Sequence, residues 1–425
     1  MAIRFAAPRS PLVSLCAMGP LVLLATPLVA CGPEGAPCNV SATRDLAPVV
    51  PDADRAELAS DTAAFATAMF AGVKNDPRYD GNFVLSPYGL EVKLAMEYSG
   101  ARGQTAEEMA AAAHLTLPQE RLHPALDALD LALATKRPEL TFSRSFWGDT
   151  DKDYECDAVS QLVTHYGAEV WWVDFDADRG GSVDAIGKWL ATKTGGKITT
   201  SDPEAYANQY GMGYELTNDA YLHAVWSLSD AQPVTDMFHG RSGDASAAFF
   251  VATGSVGYAA TDTYEAFDLP FAGAATSLLV VMPKDGSYAD VEDAFGADMI
   301  AGAASTLAPR TAQLEVPSFH FSPHPLGVGQ ELQALGMHRA FDPKAAEFGF
   351  MKDGSYLVDV FDQSALDIDA TGASGGLVIE TNGQPSSSGA VTASAVRIDR
   401  PFLFAIRDLA TGTLFFLGRI VDPTA

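Results

Sequence analysis

The sequence predicts an α+β fold with large antiparallel or mixed sheets. Helical periodicity dominates the early part of the chain, and strand-like runs dominate after about residue 215. No regular β-α alternation connects the two regions, so a parallel α/β sheet is disfavoured. With 425 residues, 48% hydrophobic and 19% charged, the composition is that of an ordinary globular chain. No internal repeat and no linker after residue 60 divides it, which favours one domain over 61–425.

The first 30 residues read as a targeting segment. Arg4 and Arg9 precede a short apolar run that Pro11, Pro20 and Pro27 break, a poor membrane span. Leu28-Val29-Ala30-Cys31 resembles a bacterial lipobox, in which the cysteine is lipidated and becomes the new N-terminus. The expectation is export, with Cys31 anchoring the protein to a bacterial membrane or cell surface. Ordinary signal cleavage would instead leave it secreted or extracellular. Residues 31–60, rich in Pro, Gly, Ala and Asp, read as a flexible tether.

Next comes a helical stripe of Leu58, Phe65, Met69 and Phe70. "NFVLSPYGLEVKLAMEYSG" gives a short strand, a Ser-Pro break and an apolar helix. "RGQTAEEMAAAAHL" follows as a helix capped by Thr105, with Glu108 three residues later. "LTFSRSFWGD" and "AEVWWVDF" read as strands, and "SVDAIGKWLATKTGGKI" as an amphipathic helix stopped by Gly195-Gly196. Later runs such as "AAFFVAT", "SLLVVMP", "AQLEVPSFHF", "YLVDVFDQSALDID", "PFLFAIRD" and "TLFFLGRIV" are strand-like. One helix, "GVGQELQALGM", interrupts them.

Charge and ligand chemistry exclude several functions. Lys plus Arg number 27 against 54 Asp plus Glu, a formal charge of −27. Such a surface repels phosphate backbones and anionic headgroups, so nucleic acid is not a partner, and membrane contact runs only through a lipid. No Cys-x-x-Cys or His/Cys cluster suggests a metal, and no cofactor is implied. His320 and His324 flank Pro323 and read as loop residues. The acidic "DTDKDYECD" lacks calcium-loop spacing and its glycine. Of adjacent Trp171 and Trp172 on a strand, one is expected in the core and one at a sheet edge. Once Cys16 leaves with the signal and Cys31 carries lipid, Cys38 and Cys156 remain and could pair.

"ATGASGGLVIETNGQPSSSGAV", residues 370–391, satisfies G-x-S-x-G at Gly372–Gly376. A nucleophile elbow needs a histidine later in the chain, and none of the eight follows Ser374. A trypsin-like arrangement with His114 fails as well, because His114 lies in a helical run and Ala373 stands where those proteases place an acid. The chain is therefore not expected to be an enzyme.

Six blocks, in order from about residue 61 to 425, together resemble the serpin family of serine protease inhibitors. "VRIDRPFLFAIRDLATGTLFFLGRIVDP" carries the family's Asp-Arg-Pro-Phe pattern and closing block. "NFVLSPYGLEVKLAMEYSGARGQTAEEM" matches its Ser-Pro segment. "IGKWLATKTGGKI", "LTNDAYLHAVW", "FDLPF…SLLVVMP" and "LEVPSFHF…LGMHRAF" match the blocks between. The resemblance implies three β-sheets, about nine helices and an exposed reactive-centre loop, in a monomer. It also implies a single-use trap for a serine protease, or a cysteine protease. The target cuts the loop and forms an acyl-enzyme, and the cut loop inserts into the main sheet. The alternative is a non-inhibitory serpin, a protease substrate or binding module.

By this resemblance Gly372, Ala373, Ser374, Gly375 and Gly376 form the hinge, with Ala373, Gly375, Leu377 and Ile379 turned inward on insertion. The family's spacing places the reactive bond at Ser386-Ser387, within 383–392. No Lys, Arg or large aromatic lies there, so an elastase-like or subtilisin-like target is expected. Ser86 and Asn218 match the polar shutter beneath the main sheet, and Trp226 the tryptophan where the loop enters. The sequence departs from the family pattern at Ala370-Thr371, at Gly375-Gly376-Leu377-Val378, at Gly89 in place of a serine, and at Asp362 in place of a histidine.

Overall fold

The computed structural model describes residues 37–137, 139–199, 213–273, 275–321, 326–374 and 394–424. Among these the helices are α1 (Asp52–Asn75), α2 (Pro87–Gly100), α3 (Gly103–Ala112), α4 (Gln119–Lys136), α5 (Cys156–Tyr166) and α6 (Arg179–Lys193). Three shorter ones follow, α7 (Tyr288–Ala294), α8 (Ala297–Thr306) and α9 (Gly329–Ala334). The first strands are β1 (Phe83–Leu85), β2 (Leu140–Asp149), β3 (Glu169–Val173), β4 (Tyr214–Val225), β5 (Ser229–Gly240) and β6 (Gly243–Ala260). After them come β7 (Tyr264–Pro270), β8 (Thr276–Pro283), β9 (Ala308–Pro317), β10 (Phe319–Phe321), β11 (Leu326–Gly327) and β12 (Phe361–Asp362). The last are β13 (Leu366–Asp369), β14 (Gly372–Ser374), β15 (Ser394–Arg397), β16 (Phe402–Asp408) and β17 (Leu414–Ile420).

The strands form three sheets, an α+β architecture. A nine-stranded sheet runs β1-β17-β16-β8-β7-β6-β9-β15, with β5 also on β6. A six-stranded sheet runs β10-β13-β14-β4-β2-β3, and β11 pairs with β12. Helix α2 lies between the two large sheets, against β4 and β17. It is buried on nearly every face, mostly through apolar side chains, as a helix in that position must be: Tyr88, Leu90, Val92, Leu94, Ala95 and Met96 are all buried. The Ser-Pro break starts it, with Ser86 Oγ accepting the Gly89 N–H and Pro87 in the first turn. Helix α5 ends on Gly167 at φ 63°, and α6 runs into Gly195 and Gly196 at φ 58° and 86°.

Several sequence expectations change. Helix α3 begins at Gly103 behind Arg102, so Thr105 is inside the first turn and not its cap. Thr105 Oγ1 and the Glu108 carboxylate instead accept backbone N–H groups of Glu347, His338 and Arg339. Helices α7 and α8 add to the one helix expected between the late strands. "YLVDVFDQSALDID" yields only two short strands, β12 and β13. His320 stands in β10 paired with Asp367, not in a loop, while His324 lies outside the described residues. Trp171 is exposed and stacked on Trp147; Trp172 is half-buried against Phe146 and Tyr154.

The expected tether over 31–60 also differs from residue 37 onward. Cys38 is buried in a disulfide with Cys156, Cα–Cα 5.6 Å, and helix α1 already begins at Asp52. The Asp45 N–H donates to Thr164 O, and Arg44 pairs with Asp127 and Asp130. A covalent clasp and an ion cluster hold this segment as a strap on α4 and α5. Among the described residues no helix is long and apolar enough to cross a membrane.

Candidate functional site

The site is the slot between β4 and β13. These strands do not pair directly; β14 sits between them, antiparallel to both. Gly372, Ala373 and Ser374 oppose Val225, Ala224 and His223 on one side, and Asp369, Ile368 and Asp367 on the other. The chain reverses from β13 into β14 through Ala370-Thr371, where Asp369 Oδ1 accepts both the N–H and the hydroxyl of Thr371 at 2.7 and 2.6 Å. Gly372 has φ +148°, and a Cβ there would stand 2.8 Å from Val225 Cα. Only glycine fits both the conformation and the space. Ala373 is 1% exposed and faces the core, so a short apolar side chain fills that position.

Trp226 closes the top of the slot. Its indole stacks on Phe271 and Phe250, centroids 4.7 and 5.7 Å away, and its Nε1–H donates to Asp369 O at 2.7 Å. Beneath the sheet, Ser86 and Asn218 both bind the first turn of α2. Asn218 Nδ2 donates to Gly89 O at 2.8 Å, while the Ser86 N–H donates to Asp362 Oδ2 at 2.6 Å. Asp362 Oδ1 accepts the Ser364 hydroxyl at 2.8 Å. Burial pushes the Asp362 carboxyl up to about 6, although both donors pull it down. A Cβ on residue 89 would lie 2.8 Å from Ser86 Oγ, so the serine expected there would crowd this cap.

Two residues not singled out in the sequence complete the cluster. Arg144 on β2 donates from Nε to Asn218 Oδ1 at 2.7 Å and from both terminal nitrogens to Asp130, at 2.9 and 2.6 Å. The signal was available: Leu140, Phe142, Arg144 and Phe146 share one face of a strand, and an arginine within an apolar stripe requires a buried partner. Gly375, Gly376, Ser386, Ser387 and Cys31 fall outside the described residues.

The family model that matches residues 60–423 is described as serpin, serine protease inhibitor. This chain belongs to the serpin family. An uncharacterized serpin-like protein of Thermococcus kodakarensis is 28% identical over 81% of each chain. Antithrombin-III of Ovis aries is 24% identical, covering 98% of this chain and 92% of its own. The solved structure of a thermophilic serpin, tengpin, in its native state superposes with a TM-score of 0.70. It is 22% identical, over 86% of this chain and 94% of its own. In this serpin the six-stranded sheet already carries a three-residue wedge, β14.

Proposed function

We propose that this serpin inhibits serine proteases as a single-use trap, and that its loop between Ser374 and Ser394 is the segment attacked. The protease serine would attack a peptide carbonyl in 383–392, best placed at Ser386-Ser387, forming an acyl-enzyme and releasing the new amine end. The freed strand would then insert between β4 and β13 and carry the protease with it before water completes hydrolysis.

The placement of Gly372–Ser374 in the slot supports this most directly. Continuing its register down β4 sets Ile379 opposite Asn218 and Gly383 opposite Tyr214, the first residue of the strand. Nine further ladder positions span roughly 30 Å. Pro385 falls past the end of the ladder, where its missing N–H costs nothing. Inward positions would hold Ala373, Gly375, Leu377 and Ile379, all uncharged. The window 383–392 lacks basic and large aromatic residues, which favours a small-pocket target, elastase-like or subtilisin-like. The Cys38–Cys156 bond supports an oxidising compartment and hence export; the protein would act there as a monomer attached through lipid on Cys31.

The test is to mix the protein with elastase- and subtilisin-type proteases and run denaturing gels. A covalent complex surviving denaturant is expected, with mass spectrometry placing the cut within 383–392. Cleavage that leaves the protease fully active, with a cut chain no more heat-resistant than the intact one, would show a substrate and not a trap. Release of the protein into the soluble fraction by Cys31→Ser is the outcome expected for the anchor.

A further inference from the structure

A continuous polar chain runs from the N-terminal strap to the shutter. Arg44 reaches Asp127 Oδ1 from Nε at 2.9 Å and Asp130 Oδ2 from Nη2 at 2.5 Å. Asp130 is shared with Arg144, which grips Asn218, which binds Gly89 O at the start of α2. Asp127, Asp130 and Arg144 are all nearly inaccessible, their side chains 0%, 5% and 2% exposed. Two arginines and two aspartates therefore balance inside the protein, and Arg44 is the member supplied by the strap.

The fold is fitted to this contact. Gly167, in the left-handed conformation at φ +63°, passes under the arginine stem: a Cβ there would come within 2.8 Å of Arg44 Cδ. The Asp45 N–H bond to Thr164 O and the disulfide to Cys156 fix the strap on the same helix, α5. Three independent devices thus hold one guanidinium over Asp130.

Admitting more strand between β4 and β13 requires the half-sheet β4-β2-β3 to shift across the helices beneath it. Among the contacts that resist this shift are Asn218 to Gly89 of α2, Tyr214 Oη to Glu97 of α2 at 3.0 Å, Arg144 to Asp130 of α4, and Arg144 to Tyr166 O of α5 at 3.3 Å. We propose that Arg44, held by the Cys38–Cys156 clasp, is a positioning residue that locks Asp130 onto Arg144 and so sets how readily the half-sheet that starts at β4 moves further from β13. The consequence for inhibition rests on the trap reading; the coupling of strap to strand does not.

Hydrogen exchange on the intact, uncleaved protein tests it. Arg44→Ala and the double variant Cys38→Ser/Cys156→Ser should each speed exchange of the β4 amides about tenfold, relative to β16 and β17 in the same molecule. Arg44→Lys should restore most of the protection, since a cation again reaches Asp130. Arg121→Ala removes a different ion pair of α4, Arg121 with Asp54, and should leave β4 unchanged. Unchanged β4 exchange in the first two variants, or equal acceleration in Arg121→Ala, would overturn the proposal. A positive result in a protein that forms no covalent protease complex would keep this coupling and reject the trap alone.

Discussion

Trp226 and Asp369 are joined by a 2.7 Å hydrogen bond from the indole N–H to the main-chain carbonyl. One partner stands just past β4 and the other ends β13, so the bond spans the mouth of the slot that β14 occupies. Trp226→Phe keeps an aromatic ring between Phe250 and Phe271 but removes the donor and leaves a carbonyl unpaired. A loss of about 1 kcal/mol in denaturant unfolding is expected. Trp226→Ala should cost about 3–5 kcal/mol, because the stacked ring is lost as well. Equal losses in the two variants would show that the hydrogen bond contributes nothing.

Gly372 combines a left-handed backbone with contact against the Val225 main chain. Gly372→Ala should therefore drive β14 out of the sheet or strain it by about 1–3 kcal/mol. Faster amide exchange at residues 372–374 and a lowered melting temperature are the expected readings. A variant as stable as the parent would mean that the wedge is not a strong contact of the native chain.

The long elements were legible because their physics is local. Strand β17 is buried throughout and apolar but for Arg419, and α2 follows a Ser-Pro cap that reads directly from sequence. Helices α7 and α8 were missed since "YADVEDAFGADMIAGAAST" is rich in Ala, Asp and Gly and shows too little apolar periodicity. The wedge β14 could not be read from spacing: three small residues pair with a strand about 150 positions earlier, and only tertiary context makes them a strand. The disulfide joins residues 118 apart in sequence. Sequence left that pairing open, and placed the strap that it pins among flexible residues.

Ala373 faces the core opposite Ala224 and Ile368, at 1% exposure. Ala373→Arg would place a guanidinium there without a partner, a cost the strand avoids by leaving the sheet. The trap reading then predicts a switch from inhibitor to substrate: the loop is cut, the protease escapes, and covalent complex falls at least tenfold. The cleaved variant should lose the gain in heat resistance expected of the cleaved parent. Undiminished complex formation by this variant would show that residue 373 need not enter the sheet.

Buried acids in α2 and at the shutter set an unusual pH dependence. Glu91 is fully buried, with Oε1 accepting the Thr62 hydroxyl at 3.1 Å and Oε2 without a hydrogen-bond partner among the described residues. Burial pushes its carboxyl up to about 8, Glu97 up to about 7 and Asp362 up to about 6. In the unfolded chain such groups titrate near about 4. At these three acids the native state therefore binds more protons between those limits, which lowers stability as pH rises from about 5 to about 8. His123, which burial pushes down to about 3, opposes this below about 6.5 but is one group against three. Asp130 works in the opposite sense. Burial raises it, but Arg144 and Arg44 outweigh that and hold it below its usual range, so its stabilisation is lost only in stronger acid. Thermal midpoints should thus peak near pH 5 and decline toward pH 8. Glu91→Gln should flatten the decline, adding about 2–4 kcal/mol at pH 8 and little at pH 5. Midpoints that climb from pH 5 to 8, or a variant with the parent's slope, would show that Glu91 does not carry this proton uptake.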